Sequence, residues 1–173
     1  MSRDNPHQEV PLGEKGEICI AGPQVMKGYW GRPEETQKVM IDGFFHTGDV
    51  GYMDPQGYTF LVDRIKDLIL YNGYNVYPRH VEEAIYLHPC VQEVTVIGIP
   101  HDTKGEVPKA FVKLRDNQAV TAEELQVFLK DKLSPLEIPK DIEFRDELPK
   151  TAIGKLSKKE LVAEEMAKLS KKS

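Results

Sequence analysis

Three short apolar or alternating runs open the chain: GEICIAG (Gly16 to Gly22), FFHTGDVGYMD (Phe44 to Asp54) and GYTFLVD (Gly57 to Asp63). Runs of this length, set apart by turn residues, predict β-strands. Asp54-Pro55-Gln56-Gly57 reads as a turn, with proline second and glycine fourth. Between the first two runs a short helix is predicted to start at Pro33, since the first helical position has no use for the donor that proline lacks.

The pattern changes from Arg64. DLILYNGYNV (Asp67 to Val76) splits around Asn72-Gly73, a strong hairpin signal because a type I′ turn needs positive φ at both central residues. A helix is predicted from Pro78 to about His88, with Val81, Ala84, Ile85 and His88 on one face. VQEVTVIGIP and VPKAFVKL read as strands. A further helix, Thr121 to about Leu133, opens with the capping box Thr121-x-x-Glu124 and carries Leu125, Phe128, Leu129 and Leu133 on one face. IEF (Ile142 to Phe144) is a short strand. The last helix is predicted to begin at Ser157, with Glu160 completing a second capping box and Leu156 and Leu161 forming a hydrophobic staple. The fold class implied is α+β: a small mixed-sheet domain with helices, preceded by a β-rich segment.

Composition narrows the class. The chain has 173 residues, 40% of them hydrophobic, and a formal charge of -5, so neither a disordered chain nor a generic nucleic-acid binder is expected. Cys19 and Cys90 stand far apart without metal-ligand spacing, so neither a zinc site nor a disulfide framework is expected, the default compartment is the cytoplasm, and both thiols are expected to be buried. No run is long enough to span a membrane and the N-terminus has no apolar leader pattern.

The candidate chemistry centres on LPKTAIGKLSKKEL, Leu148 to Leu161. Pro149 and Gly154 interrupt regular structure around Lys155 and present its ammonium on a loop. Taken alone, Lys155 would be one solvated cation among Lys150, Lys158 and Lys159. Three further segments alter that reading: GEICIAGPQVMKGYWGRPEET, HTGDVGYMDPQGYTFLVDRIKDLILYNGYNVYP and LSPLEIPK. Together, and in this order, the four segments resemble the adenylate-forming superfamily of acyl-CoA synthetases, luciferases and peptide-synthetase adenylation domains, and the match covers nearly the whole chain.

The resemblance implies roles by position. Lys155 would meet the reacting carboxylate and the α-phosphate of ATP. Asp49 of the TGD motif would accept hydrogen bonds from the ribose hydroxyls, a task suited to an acceptor-only carboxylate; its plain alternative is a turn aspartate. Arg64 would add a donor to the ribose or phosphate region, or else pair with Asp63 or Asp67. Lys66 would be the hinge about which a small domain rotates between adenylating and thioester-forming arrangements. Asn72 and Gly73 would lie against the pantetheine of coenzyme A, or simply form the hairpin turn. The family often has an aromatic residue in place of Leu136. His46 is expected to be structural.

The same resemblance implies a missing piece. The superfamily's phosphate loop, magnesium-binding glutamate and acyl pocket lie on a large N-terminal domain, and no glycine-rich run ending in lysine occurs here. Residues 1–64 are accordingly expected to be the β-rich end of that domain and residues 65–173 the mobile C-terminal domain. The implied cofactors are ATP/AMP and coenzyme A, with Mg2+ on the missing domain, and no metal site is expected in this chain. Expected partners are that domain, a carboxylic acid substrate and, through exposed strand faces, a second copy of the fragment. A fatty-acid–CoA ligase, inactive as a fragment, is the first expectation. The alternatives are an aryl-CoA ligase, a peptide-synthetase adenylation domain, or a stand-alone non-catalytic module.

Overall fold

The computed structural model describes residues 1–171. The chain forms two compact units, Met1–Lys66 and a second from Asp67 onward.

The first unit contains β1 (Gly16–Ile20), α1 (Pro33–Val39), β2 (Met40–Ile41), β3 (Phe44–Met53) and β4 (Thr59–Arg64). β3 is central, and β1, β2 and β4 each pair antiparallel to it. The turn at Asp54 forms as expected: Gly57 N donates to Asp54 O at 3.0 Å, and the Asp54 carboxylate accepts from Gln56 and Tyr58 N, each at 2.9 Å. Pattern reading missed β2. It arises because Asp42 and Gly43 adopt φ of 50° and 82°, the same doubly positive turn that an Asp-Gly pair favours. The unit has a thin core. Val50 is fully buried, while Phe60 and Leu61 remain 43% and 56% exposed.

The second unit is a five-stranded mixed sheet in the order β6-β5-β8-β7, with a further strand, β9, parallel to β8. Its strands are β5 (Ile69–Tyr71), β6 (Tyr74–Val76), β7 (Val91–His101), β8 (Gly105–Leu114) and β9 (Asp141–Phe144). The helices are α2 (Pro78–Tyr86), α3 (Ala122–Leu129) and α4 (Lys158–Ser170). Period-two alternation divides each long strand between two faces. Val94, Val96, Ala110 and Val112 pack with Val81 and Ile85 of α2 and Leu125 and Leu129 of α3. Ile97 and Phe111 pack instead with Leu161 of α4 and with Leu148. The sheet is therefore covered on both sides, which explains why its strands read as nearly continuous apolar runs.

Helix ends differ from the sequence reading in three places. α2 stops at Tyr86 and α3 at Leu129, short of His88 and Leu133, although Leu133 is still buried in the core. The α3 capping box is complete: Thr121 Oγ1 accepts from Glu124 N at 3.1 Å and Thr121 N donates to the Glu124 carboxylate at 2.8 Å. The second box does not form. Ser157 is the N-cap of α4 but its side chain makes no capping bond; its N–H instead reaches back to Pro149 O at 2.8 Å. The staple survives, since Leu156 packs on the cluster that buries Leu161. Both cysteines are half-buried rather than buried.

Candidate functional site

The TGD segment lies on a bulge of β3. Cys19 pairs with His46 and Glu17 with Val50, so Thr47, Gly48 and Asp49 stand opposite Ile18 alone. Two extra residues on one strand break the ladder and re-aim the side chains there. Gly48 takes a φ of 74° to make the bend. Side chains replace the lost ladder bonds: Gly48 N donates to Glu17 Oε1 at 2.9 Å, Thr47 Oγ1 donates to Ile18 O at 2.7 Å, and Asp49 N donates to Thr47 Oγ1 at 3.1 Å. The other Glu17 oxygen holds His46 Nδ1 at 2.7 Å.

Asp49 faces Arg64 across the β3–β4 ladder, and Arg64 Nε donates to Asp49 Oδ1 at 2.9 Å. Two residues singled out in the sequence are thus brought into contact through their side chains, while the backbone N of Arg64 donates to Asp63 Oδ1 at 2.8 Å. The pair is largely solvated, so it orients more than it stabilises. A cleft of about 510 Å³ adjoins the bulge, with Glu17, His46, Thr47, Gly48, Arg64 and Lys66 in its wall. Lys66 is exposed on a single 3-10 turn, Ile65–Asp67.

In the second unit, Asn72 and Gly73 form the tip of the β5–β6 hairpin with φ of 50° and 80°. A Cβ on Gly73 would meet nothing within 4 Å, so conformation rather than crowding demands glycine, and the space above it is open. Asn72 N donates to Lys104 O at 2.8 Å, which steadies the tip.

Lys155 sits in a small closed loop. Lys150 and Leu156 form an antiparallel bridge; inside it Thr151 N donates to Lys155 O at 2.7 Å, Lys155 N to Thr151 Oγ1 at 3.2 Å, and Gly154 N to Thr151 O at 2.8 Å. Leu148 and Leu156 anchor its two ends in the apolar cluster under α4. The flanking lysines have partners: Lys150 Nζ meets Glu93 at 2.6 Å and Lys158 Nζ meets Glu82 at 2.9 Å. Among the described residues the Lys155 ammonium makes no ion pair and is exposed. Of the four lysines clustered here, Lys150 and Lys158 are thereby anchored, Lys159 lies on α4, and Lys155 is the cation that the loop itself presents to a ligand.

A buried lysine that the sequence reading passed over fixes the helix behind this loop. Lys109 Nζ lies 2.9 Å from Asp141, 2.9 Å from Glu143 and 3.1 Å from Glu165 of α4. Burial alone would push its pKa down; the three carboxylates outweigh burial and hold it above the ordinary lysine value. Burial likewise works to raise Glu143, but Lys109, Arg145 and Lys168 bring it down to about 2. The signal was available: in VPKAFVKL, Lys109 shares a strand face with Phe111, whose side chain is buried.

Glu17, Cys19 and His46 are the described residues whose donor atoms cluster closely enough to hold a metal ion. They do not fit one. Both Glu17 oxygens are already engaged, and burial, reinforced by Glu17, pushes the Cys19 thiol up and keeps it protonated. The set is also unsuited to Mg2+, which takes oxygen ligands.

The second unit, with helices on both faces of a mixed sheet and an exposed lysine loop ahead of its last helix, has the fold of the small domain of adenylate-forming enzymes. Residues 80–155 match the AMP-binding enzyme C-terminal domain. The chain is 52% identical over 152 residues to a long-chain-fatty-acid–CoA ligase of Bacillus subtilis, covering 88% of this chain and 27% of that protein. It is 48% identical over 154 residues to a feruloyl-CoA synthase of Amycolatopsis, covering 89% of this chain and 31% of the relative. The solved o-succinylbenzoate CoA synthetase of Bacillus subtilis, in complex with its acyl-adenylate intermediate, superposes with a TM-score of 0.84 at 36% identity, over 91% of this chain and 32% of the other. The chain therefore spans about 30% of the length of the relatives it matches.

Proposed function

We propose that this chain is the C-terminal part of an ATP-dependent, AMP-forming acyl-CoA synthetase, with a fatty acid as the first-choice substrate. The supporting observation is the state of Lys155: an exposed ammonium, without an ion pair among the described residues, on a loop closed by backbone bonds and flanked by two anchored lysines. In the first half-reaction a substrate carboxylate oxygen attacks the α-phosphorus of ATP and pyrophosphate departs. Negative charge grows on the phosphoryl oxygens, and a positioned ammonium lowers that barrier. Asp49 receives the ribose hydroxyls, and Arg64 keeps its carboxylate oriented for them. In the second half-reaction the thiol of coenzyme A attacks the acyl carbonyl, loses its proton and expels AMP. The open face over Asn72 and Gly73 suits the approach of pantetheine to the main chain. Lys66 is the hinge between the two arrangements.

Mg2+ would neutralise the phosphate oxygens, and we assign its ligands, with the phosphate loop and acyl pocket, to an N-terminal domain that precedes this chain. The 173-residue chain alone is then expected to give no ATP–pyrophosphate exchange; measurable exchange would overturn that reading. In the full-length protein, Lys155→Ala should slow acyl-adenylate formation by roughly 10²- to 10³-fold. Exchange at the wild-type rate would remove Lys155 from the chemistry. The 48% identity to a feruloyl-CoA synthase supports an aryl acid as the second reading, and a panel of fatty and aryl acids decides between the two.

A further inference from the structure

We propose that Glu17 is a positioning residue for Asp49: its carboxylate takes the place of the ladder bonds that the β3 bulge has lost and so sets where the Asp49 carboxylate points. The inference rests on the ribose reading of Asp49 given above. Glu17 sits on β1 directly across the bulge, its side chain only 12% exposed. One oxygen accepts from Gly48 N at 2.9 Å, at the residue preceding Asp49, where φ is 74°. The other holds His46 Nδ1 at 2.7 Å, at the last paired position before the bulge.

One carboxylate therefore grips the bulge at its entry and at its bend, with Thr47 Oγ1 tying the middle to Ile18 O. Among the described residues His46 Nε2 has no hydrogen-bond partner, and the side-chain bond that the imidazole makes is the one to Glu17. Without Glu17, Gly48 N would lack that acceptor at a glycine with free choice of conformation, and Asp49 would be held only by Arg64 and Thr47, beyond the bend rather than at it.

The test measures kcat/KM for ATP and for 2′-deoxyATP by pyrophosphate exchange in the full-length protein. Glu17→Ala should lower the ATP to 2′-deoxyATP ratio by roughly tenfold, the factor carried by one lost hydrogen bond to a charged group, mainly through KM for ATP. Glu17→Gln keeps a carbonyl oxygen for Gly48 N and should retain most of the ratio. Asp49→Ala is the reference for full loss of the ribose contact. If Asp49→Ala collapses the ratio while Glu17→Ala lowers both nucleotides equally, Glu17 is merely structural and the inference is wrong. A ratio unchanged in Asp49→Ala sinks the ribose reading itself, and the role of Glu17 with it. Should Glu17→Ala fail to fold, Glu17→Asp, which withdraws the carboxylate by one methylene, supplies the same comparison.

Discussion

Replacing Lys109 by methionine removes the cation that three carboxylates share while keeping a side chain of similar length. Removing one partner of a buried charge pair costs about 3–5 kcal/mol when the remaining charge has no other compensation. Compensation here is partial. Asp141 is 64% exposed and can hydrate; Glu143 keeps Arg145 at 2.8 Å and Lys168 at 3.3 Å; Glu165, 8% exposed, keeps Lys168 at 2.6 Å. The loss should therefore fall below that range, at about 2–3 kcal/mol. For a domain of this size that lowers Tm by roughly 10–20 °C.

The pH dependence supplies a second arm. Glu143 drops in the folded protein from the ordinary carboxylate value to about 2, so the unfolded chain binds more protons between those values. Its stabilisation is complete above about pH 4.5 and is lost as pH falls towards 2. Lys109 is raised, so its contribution is complete below the ordinary lysine value and is lost as pH climbs through the folded one. Urea unfolding followed by helix circular dichroism, at pH 7 and down to pH 3, measures both arms. Lys109→Met should be destabilised at pH 7 and should show a shallower acid slope. A loss below about 1 kcal/mol with an unchanged acid slope would show that the network can be exchanged for apolar packing, and would refute the reasoning.

Thr121→Ala removes the side-chain half of the α3 capping box, the acceptor for Glu124 N, while the backbone N–H of residue 121 can still donate to the Glu124 carboxylate, and should cost about 1 kcal/mol in the same unfolding assay; no change would mean that core packing of Leu125 and Leu129 alone sets the helix start. Gly73→Ala forces a Cβ onto a residue at φ 80° with open space around it, so about 1 kcal/mol of strain is expected without any clash; a larger loss would mean that the hairpin tip is packed rather than open. Lys66→Pro in the full-length protein should impair one half-reaction and spare the other, separable by comparing pyrophosphate exchange with thioester formation. Equal loss of both would remove the hinge role.

Where the signals were local, the sequence was sufficient. The Asn72-Gly73 hairpin, the Thr121 capping box and the loop carrying Lys155 each depend on a few adjacent residues with restricted dihedrals or matched donors and acceptors, so their chemistry is written in consecutive letters. The four motifs, matched in order, pointed to the adenylate-forming fold for the same reason. The helix start at Ser157 was also predicted, but its capping box was displaced by a bond to Pro149, a competitor that local pattern cannot weigh.

What the sequence alone could not supply was partnership across distance. Arg64 comes to Asp49 through the β3–β4 register, fifteen residues away. Glu17 reaches Gly48 because a bulge in β3 brings strand residues thirty-one apart into hydrogen-bond range. Lys109 gathers carboxylates from β9 and α4, and only the sheet order puts them on one face. A hydrogen bond or ion pair is decided by separations of about 3 Å, and pairing register between distant segments is a property of the whole packed structure rather than of any stretch of chain. Lys155 shows both halves of this division: the sequence placed it on its loop, and the tertiary structure gave Lys150 and Lys158 their partners and left its ammonium exposed, without an ion pair among the described residues.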